Sequence, residues 1–299
     1  MQPSLGIVLA TGSAAPRELL DFVVRMEQLD FDSAWVGDTL LRPIVESLTM
    51  LSAAAAVTEK ITLGTAALLP ALRRPVPAAQ AIASLDQLSG GRLVLAVGAG
   101  FPNRSEPEYA AAQVPWKGRF ARLDDTVALW RHLWRSDGPT AYHGDVLHFD
   151  ELPPPTRPTR DGGPPIWLGG FSPSALERTG RLYDGWLPYP PDPGDYAKAL
   201  AVVQSYGRPV TPALFATVLV TDSVERGREA LDRYTRATYK WPLEVVETIQ
   251  LLVAGPLPLI RERLHPYLQA GARHLVCRIG ALGIEAQREQ LELVRALNP

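Results

Sequence analysis

The feature that most limits what this chain can fold into is a repeated alternation of two hydrophobic periods. Short apolar runs lie at Leu5–Ala10, Ser33–Gly37, Ile61–Leu68, Arg92–Val97, Ile166–Leu168, Gly185–Leu187, Ala213–Val220 and Arg273–Ile279. A stretch of helical spacing follows each of them. In the first unit, Pro16 is suited to open a helix, and Leu19, Phe22, Val23, Met26 and Leu29 then recur every three or four residues. Further helices are predicted at Ile44–Val57, at Pro77–Leu88, along the stripe Phe120, Leu123, Val127, Trp130 and Trp134, at Pro173–Leu182 and at Tyr196–Tyr206. A long helical region, Val224–Ala270, is broken at Pro242, Gly255 and Pro258, and Ile284, Leu291, Val294 and Leu297 mark the last helix. Repeated strand-then-helix units imply a parallel sheet covered by helices, and eight of them in this length imply a closed (β/α)8 barrel. An open doubly wound sheet is the alternative. One domain spanning residues 1–299 is expected. The alternation breaks at Ser136–Pro165, a proline-rich connection inserted after the fourth helix. It reads as one hairpin around His143-Gly144-Asp145 within a loop long enough to serve as a lid.

Composition narrows the function classes. At 299 residues, 46% hydrophobic and net charge -2, the chain can bury a large core and is not dominated by disorder. Lys+Arg total 30 against Asp+Glu 32, with no dense basic run, so the footprint of a nucleic-acid binder is missing. No apolar run approaches the roughly 18 residues of a membrane span. One cysteine, Cys277, excludes an internal disulfide. With no secretory pattern at the N-terminus, a cytoplasmic protein is expected.

A barrel places its chemistry in the loops after the strands. Here those are Ala10–Ser13, Asp38–Arg42, Ala66–Arg74, Gly98–Glu106, Gly169–Pro173, Tyr189–Gly194, Thr221–Ser223 and Gly280–Gly283. Gly98-Ala99-Gly100 permits close backbone approach to a ligand or makes a plain tight turn. Asn103 stands where a dinucleotide fingerprint needs its third glycine. Gly169-Gly170-Phe171-Ser172-Pro173 opens a helix, whose free N–H groups suit a phosphate; Ser172 alternatively serves only as the N-cap. Asp38 is a candidate general base, ligand acceptor, partner of Arg42 or turn cap. Arg73 and Arg74 suit a phosphate or an acidic tail, or form a solvated pair. Trp35, Trp167 and Trp186 could stack on a flat ring, although core packing is the simpler role. The five histidines have no convincing metal-ligand spacing, and no metal is expected. No Gly-x-Ser-x-Gly elbow and no Walker P-loop occur. Cys277, inside the last strand, reads as core.

Several segments together resemble one family. They are Ile61-Thr62-Leu63-Gly64-Thr65, then Pro70, Arg74 and Pro75, then Leu85-Asp86-Gln87-Leu88-Ser89-Gly90-Gly91-Arg92 and Val97-Gly98-Ala99-Gly100. Pro165-Ile166-Trp167-Leu168-Gly169-Gly170-Phe171-Ser172 and Asp184-Gly185-Trp186 follow in the same order. The combination is similar to the luciferase-like monooxygenase superfamily over essentially the whole chain. The resemblance implies a TIM barrel binding a flavin-type cofactor, either the deazaflavin F420 or FMN. It implies a non-proline cis peptide at Ala66–Ala67 against the ring, a cofactor wall from Gly98, Ala99 and Gly100, and a phosphate site at Gly169, Gly170, Phe171 and Ser172. It also implies a homodimer.

The chain departs from its relatives at two catalytic positions. Thr39 follows Asp38 where many F420-dependent members have histidine, and Phe101-Pro102 stand where some carry a glutamate. That puts the sugar-phosphate dehydrogenase activity of that subgroup in doubt. Ala99 replaces an arginine frequent in FMN-binding members, which favours F420. The expectation is therefore F420-dependent hydride transfer to or from a small organic substrate, with Asp38 and Thr39 nearest the chemistry. Arg73, Arg74, Arg157 and Arg160 would meet the acidic tail of F420. The alternatives are an FMN-dependent monooxygenase served by a flavin reductase, a non-redox barrel acting on a phosphorylated metabolite, and a barrel that binds without catalysis. Against the non-redox enzyme, none of Lys60, Lys117, Lys198 and Lys240 lies at a predicted strand end.

Overall fold

A computed structural model describes residues 3–10, 12 and 14–297. The strands are β1 Ser4–Val8, β2 Ser33–Val36, β3 Thr62–Leu68, β4 Leu93–Val97, β5 Thr140–His143, β6 His148–Leu152, β7 Ile166–Gly169, β8 Gly185–Leu187, β9 Thr211–Val220, β10 Leu252–Gly255 and β11 His274–Ile279. The helices are α1 Pro16–Gln28, α2 Ser47–Val57, α3 Pro75–Leu88, α4 Glu106–Ala111, α5 Arg119–Arg135, α6 Pro173–Leu182, α7 Pro193–Gln204, α8 Val224–Tyr239, α9 Leu243–Val246, α10 Leu257–Gln269 and α11 Ile284–Arg295. Parallel strands alternating with helices make the fold a (β/α)8 barrel. No helix among the described residues is long and apolar enough to cross a membrane. By contact density the chain divides into two compact units, Met1–Trp35 with Trp167–Pro299, and Val36–Ile166.

In the first unit, β11 runs parallel to β1 on one side and β9 on the other, β1 pairs with β2, and β8 pairs with both β7 and β9. β10 is a further strand, inside the region predicted as helical from Val224 to Ala270. It takes the edge of β9 that β8 leaves: the Phe215 N–H donates to Pro188 O at 2.8 Å, and the Thr217 N–H donates to Leu251 O at 2.9 Å. Four residues are too few to show a period, which is why Leu252–Gly255 was hidden. α1 buries the predicted face, Leu19, Phe22, Val23 and Met26. Each such side chain contributes roughly 1.5–3 kcal/mol of burial.

The interior of this unit is built around two indoles. Trp35 and Trp167 pack with ring centroids 5.3 Å apart, and His274 stands edge-on to both. Glycines make the room. A Cβ on Gly6 would come within 2.0 Å of Ser33 Oγ and 2.6 Å of Trp35 Nε1, and one on Gly185 within 2.3 Å of the Trp167 ring. The Trp35 N–H donates to Ser33 Oγ, which in turn bonds His274 Nε2, each at 2.7 Å. Burial holds the imidazole down, from 6.5 to about 4, against a weaker opposing pull from Asp32.

In the second unit, β3 and β4 pair in parallel, with a register shift between Ala66 and Leu68. The Ala66–Ala67 peptide bond is cis, as the resemblance implied. α2 begins at Ser47 rather than Ile44, because Glu46 caps it by accepting from the Thr49 N–H at 2.8 Å. α3 begins at Pro75, two residues early, since proline suits a first turn. α5 buries Leu123, Val127, Trp130 and Trp134 as its period foretold, and the two indoles donate to Pro75 O and Ala79 O. Phe120, predicted in that stripe, is 40% exposed, with Arg119 stacked over its ring.

The connection 136–165 does form the predicted hairpin, from β5 and β6. It is tied to α5 and α3 through two carboxylates, Asp125 and Asp86. The buried carboxylate of Asp125 accepts from the Tyr142 hydroxyl at 2.5 Å and from the N–H groups of Val146 and Leu147 at 2.8 and 2.6 Å. Arg157 pairs with Asp137, and Asp86 accepts from the Thr159 N–H at 2.8 Å. Asp86 and Arg92, from a segment that carried the family resemblance, are therefore scaffold. Arg92 donates to Ile61 O, Ala55 O and Thr58 O, tying the end of α2 to the start of β3.

Candidate functional site

In the second unit, three adjacent strands end in small residues. Gly37 follows β2, Ala66 and Ala67 lie in β3, and Gly98 follows β4; all are only partly buried. They are neighbours: a Cβ on Gly37 would stand 3.7 Å from Ala66 O, and one on Gly98 would stand 3.7 Å from the Ala67 Cβ. Together they form an accessible floor with nothing larger than a methyl group. Ala99 is buried, and its carbonyl accepts from the Tyr109 hydroxyl at 3.1 Å. Gly100 has φ +77°, and a Cβ there would strike the Ser105 Cβ at 2.6 Å, so the turn after β4 requires glycine.

Asp38 is engaged on every side. Its carboxylate accepts from both terminal nitrogens of Arg73 at 2.6 and 2.8 Å, from the Leu69 N–H at 3.0 Å and from Ser47 Oγ at 3.0 Å. The Asp38 side chain is 6% exposed and that of Arg73 19%. The partner is Arg73, not Arg42, and Arg73 is neither a solvated surface group nor free for an anion. Arg73 also reaches Glu46 at 2.5 Å. Burial works against its charge, but Asp38 and Glu46 outweigh that and hold the guanidinium above its ordinary range. Burial likewise opposes the charge on Glu46, yet bonds from Arg73 and the Thr49 N–H pull its carboxyl below the ordinary value. Thr39 donates its hydroxyl to Glu108 Oε1 at 2.5 Å, and the same oxygen accepts from the Leu40 N–H at 2.9 Å. Sequence reasoning missed the roles of Arg73 and Glu108. They lie 35 and 69 residues from their partners, and no local spacing signals such a pair.

In the first unit, Gly169 and Gly170 close β7 and lead into α6. Ser172 is the N-cap of α6 and accepts from the Ala175 N–H at 3.3 Å. Phe171 stacks on Trp186 at 6.2 Å, and Trp186 is also stacked on Tyr196 at 5.1 Å. Trp35, Trp167 and Trp186 are all core residues. Cys277 is buried in β11, where burial pushes its thiol up to about 12. A second unforeseen cluster surrounds Arg278 near the end of β11. Its guanidinium donates to the Tyr239 hydroxyl at 2.8 Å and lies 5.0 Å from the Phe215 ring centre. Burial opposes this charge, and the Tyr239 and Tyr234 hydroxyls stabilise it. In the loop Ala10–Ser13, Thr11 and Ser13 lie outside the described residues.

This fold class is that of the parallel (β/α)8 barrels. Within it, residues 4–274 match the luciferase-like monooxygenase family, and the chain belongs to that family. An F420-dependent glucose-6-phosphate dehydrogenase from Amycolatopsis mediterranei is 27% identical over 299 residues, covering 87% of this chain and 88% of the relative. One from Intrasporangium calvum is 35% identical over 184 residues, covering 58% of this chain; there the chain spans only about half of the relative, 53%. A solved F420-dependent secondary alcohol dehydrogenase superposes with a TM-score of 0.79 at 20% identity, over 99% of this chain and 98% of that one.

Proposed function

We propose that this protein is an oxidoreductase that uses the deazaflavin F420 for hydride transfer to or from a small organic substrate. The observation that carries the reading is the partly exposed floor of Gly37, Ala66, Ala67 and Gly98, which fits a flat ring because no side chain larger than a methyl group rises from it. The names of the relatives support the same cofactor. When bound, F420 supplies the hydride chemistry, and the protein supplies binding and orientation. Gly37, Ala66, Ala67, Gly98, Ala99 and Gly100 shape the surface for the ring, and Gly169, Gly170, Phe171 and Ser172 hold the phosphate at the start of α6. Leu40, Leu41 and Phe101, exposed apolar residues after β2 and β4, cover an organic substrate and exclude water.

Asp38 keeps Arg73 and the turn after β3 in place. With its oxygens taken by four donors, it is a positioning residue and not a proton acceptor. Thr39 is nearer the chemistry: its hydroxyl proton is held by the buried Glu108, which leaves the oxygen free to accept a hydrogen bond from a substrate hydroxyl. The protein works as a homodimer in the cytoplasm, with residues 1–299 as one catalytic domain. Parallel calorimetric titration with F420 and with FMN tests the reading. Saturable binding of F420 alone is expected. Tight binding of FMN alone would overturn it in favour of an oxygenase served by a flavin reductase, and binding of neither would leave a non-redox barrel.

A further inference from the structure

Beside the strand ends of the second unit lies a cavity of about 380 Å³, walled by the turn after β3, by the segment leaving α4 and by α5. Arg73, Arg74 and Arg122 line it together with Gln113 and Thr126, and no carboxylate does. The three guanidinium groups are not equivalent. Arg73 is committed to Asp38 and Glu46. The side chains of Arg74 and Arg122 have no hydrogen-bond or ion-pair partner among the described residues. Of the arginines expected to meet an acidic tail, Arg157 is paired with Asp137, and Arg160 donates its backbone N–H to Asp86 and feels that carboxylate. Arg74 remains, and the fold brings Arg122, 48 positions later in the sequence, to the same cavity.

Two guanidinium groups in one concavity repel each other, and each presents a planar fork of donors that matches a carboxylate or phosphate. An anion placed between them turns that repulsion into two charge-assisted pairs. Gln113 and Thr126 add polar side chains on the same wall. The volume falls in the roughly 300–1,000 Å³ range of ligand sites, enough for an arm carrying more than one anionic group.

We propose that this cavity is an anion subsite for a carboxylate- or phosphate-bearing arm, and that it receives the acidic tail of F420. The second clause rests on the cofactor reading above; the first does not. The test compares wild type with the double variant Arg74→Gln, Arg122→Gln. Arg74 is exposed and Arg122 half-buried, so the variant should keep its fold, which circular dichroism and a thermal melt verify. Dissociation constants are measured for F420 with its tail and for a form from which the tail has been removed, at low and high salt. Citrate and inorganic phosphate are titrated alone by calorimetry.

The expected result is that wild type binds the tailed form about tenfold more tightly, and that this advantage vanishes in the variant and at high salt. If the two forms bind wild type alike while citrate or phosphate binds wild type and not the variant, the subsite stands and its ligand is an anionic substrate. Equal binding of the two forms, with no binding of citrate or phosphate to wild type, overturns the proposal. If neither form of F420 binds wild type, the cofactor reading fails, and the citrate and phosphate titrations alone decide whether the subsite exists.

Discussion

Replacing Arg73 with alanine leaves the carboxylates of Asp38 and Glu46 without their counter-ion. Glu46 is 47% exposed and recovers water, but Asp38 does not. Breaking a buried pair from one side typically costs roughly 3–5 kcal/mol, and the partial exposure of Glu46 reduces this to about 3 kcal/mol. Arg73→Lys should recover little, since one ammonium cannot replace a fork that grips both oxygens of Asp38. Denaturant unfolding of the three proteins checks this; a lysine variant as stable as wild type would contradict it. Asp38 was visible in the sequence as a carboxylate at a strand end. Its partner was not, because the pairing depends on how the turn after β3 folds back, and nothing in the chain around Asp38 encodes that. Thr39 could likewise be singled out by position, but the glutamate orienting it sits on α4, a short helix that the sequence reading did not contain.

At the scale of elements, the hairpin of β5 and β6 depends on one side chain. Asp125→Ala leaves the Val146 and Leu147 N–H groups and the Tyr142 hydroxyl without their acceptor. A loss of about 3 kcal/mol is expected from charge-assisted bonds to a buried carboxylate. The effect should be local first: hydrogen exchange at Val146 and Leu147 should accelerate more than exchange in β4. Uniform acceleration across both would show that the hairpin is not a separate unit of stability. The elements most legible in the sequence were those with a long period or a firm stop, such as α1, α6 and β9. Those lost were short. β10 has four residues embedded among helices, and its pairing with β9 comes from an edge that β8 leaves open, a property of the sheet rather than of the segment.

For the molecule as a whole, His274 should account for the acid sensitivity that sets in first, above the range in which carboxylates such as Glu46 titrate. Its pKa falls from 6.5 in the open chain to about 4 in the fold. The unfolded chain therefore binds the proton more readily. The stability contributed by the neutral imidazole is fully present above pH 6.5 and is lost as pH falls from there toward 4. That displacement corresponds to about 3 kcal/mol. Unfolding free energies of wild type and His274→Gln, measured between pH 7 and 4, should diverge in slope across this interval. Parallel slopes would remove His274 as the cause. The fold class and the family followed from patterns spread over the whole chain, because a barrel repeats its instruction many times and tolerates local ambiguity. The chemistry at the strand ends is specified once, by side chains that meet only after folding.

The two indoles at the centre of the first unit also give the protein a built-in optical probe. Chromophores 5.3 Å apart and inclined at 38° couple electronically. Such a pair, fixed in a chiral interior, contributes a near-ultraviolet dichroic band that the solvent-facing Trp241 cannot mimic. Because Gly6 and Gly185 leave no slack around the rings, the band should register small expansions of the interior before the helices unravel. It therefore offers a label-free signal for following how the core responds to ligands, pressure or heat.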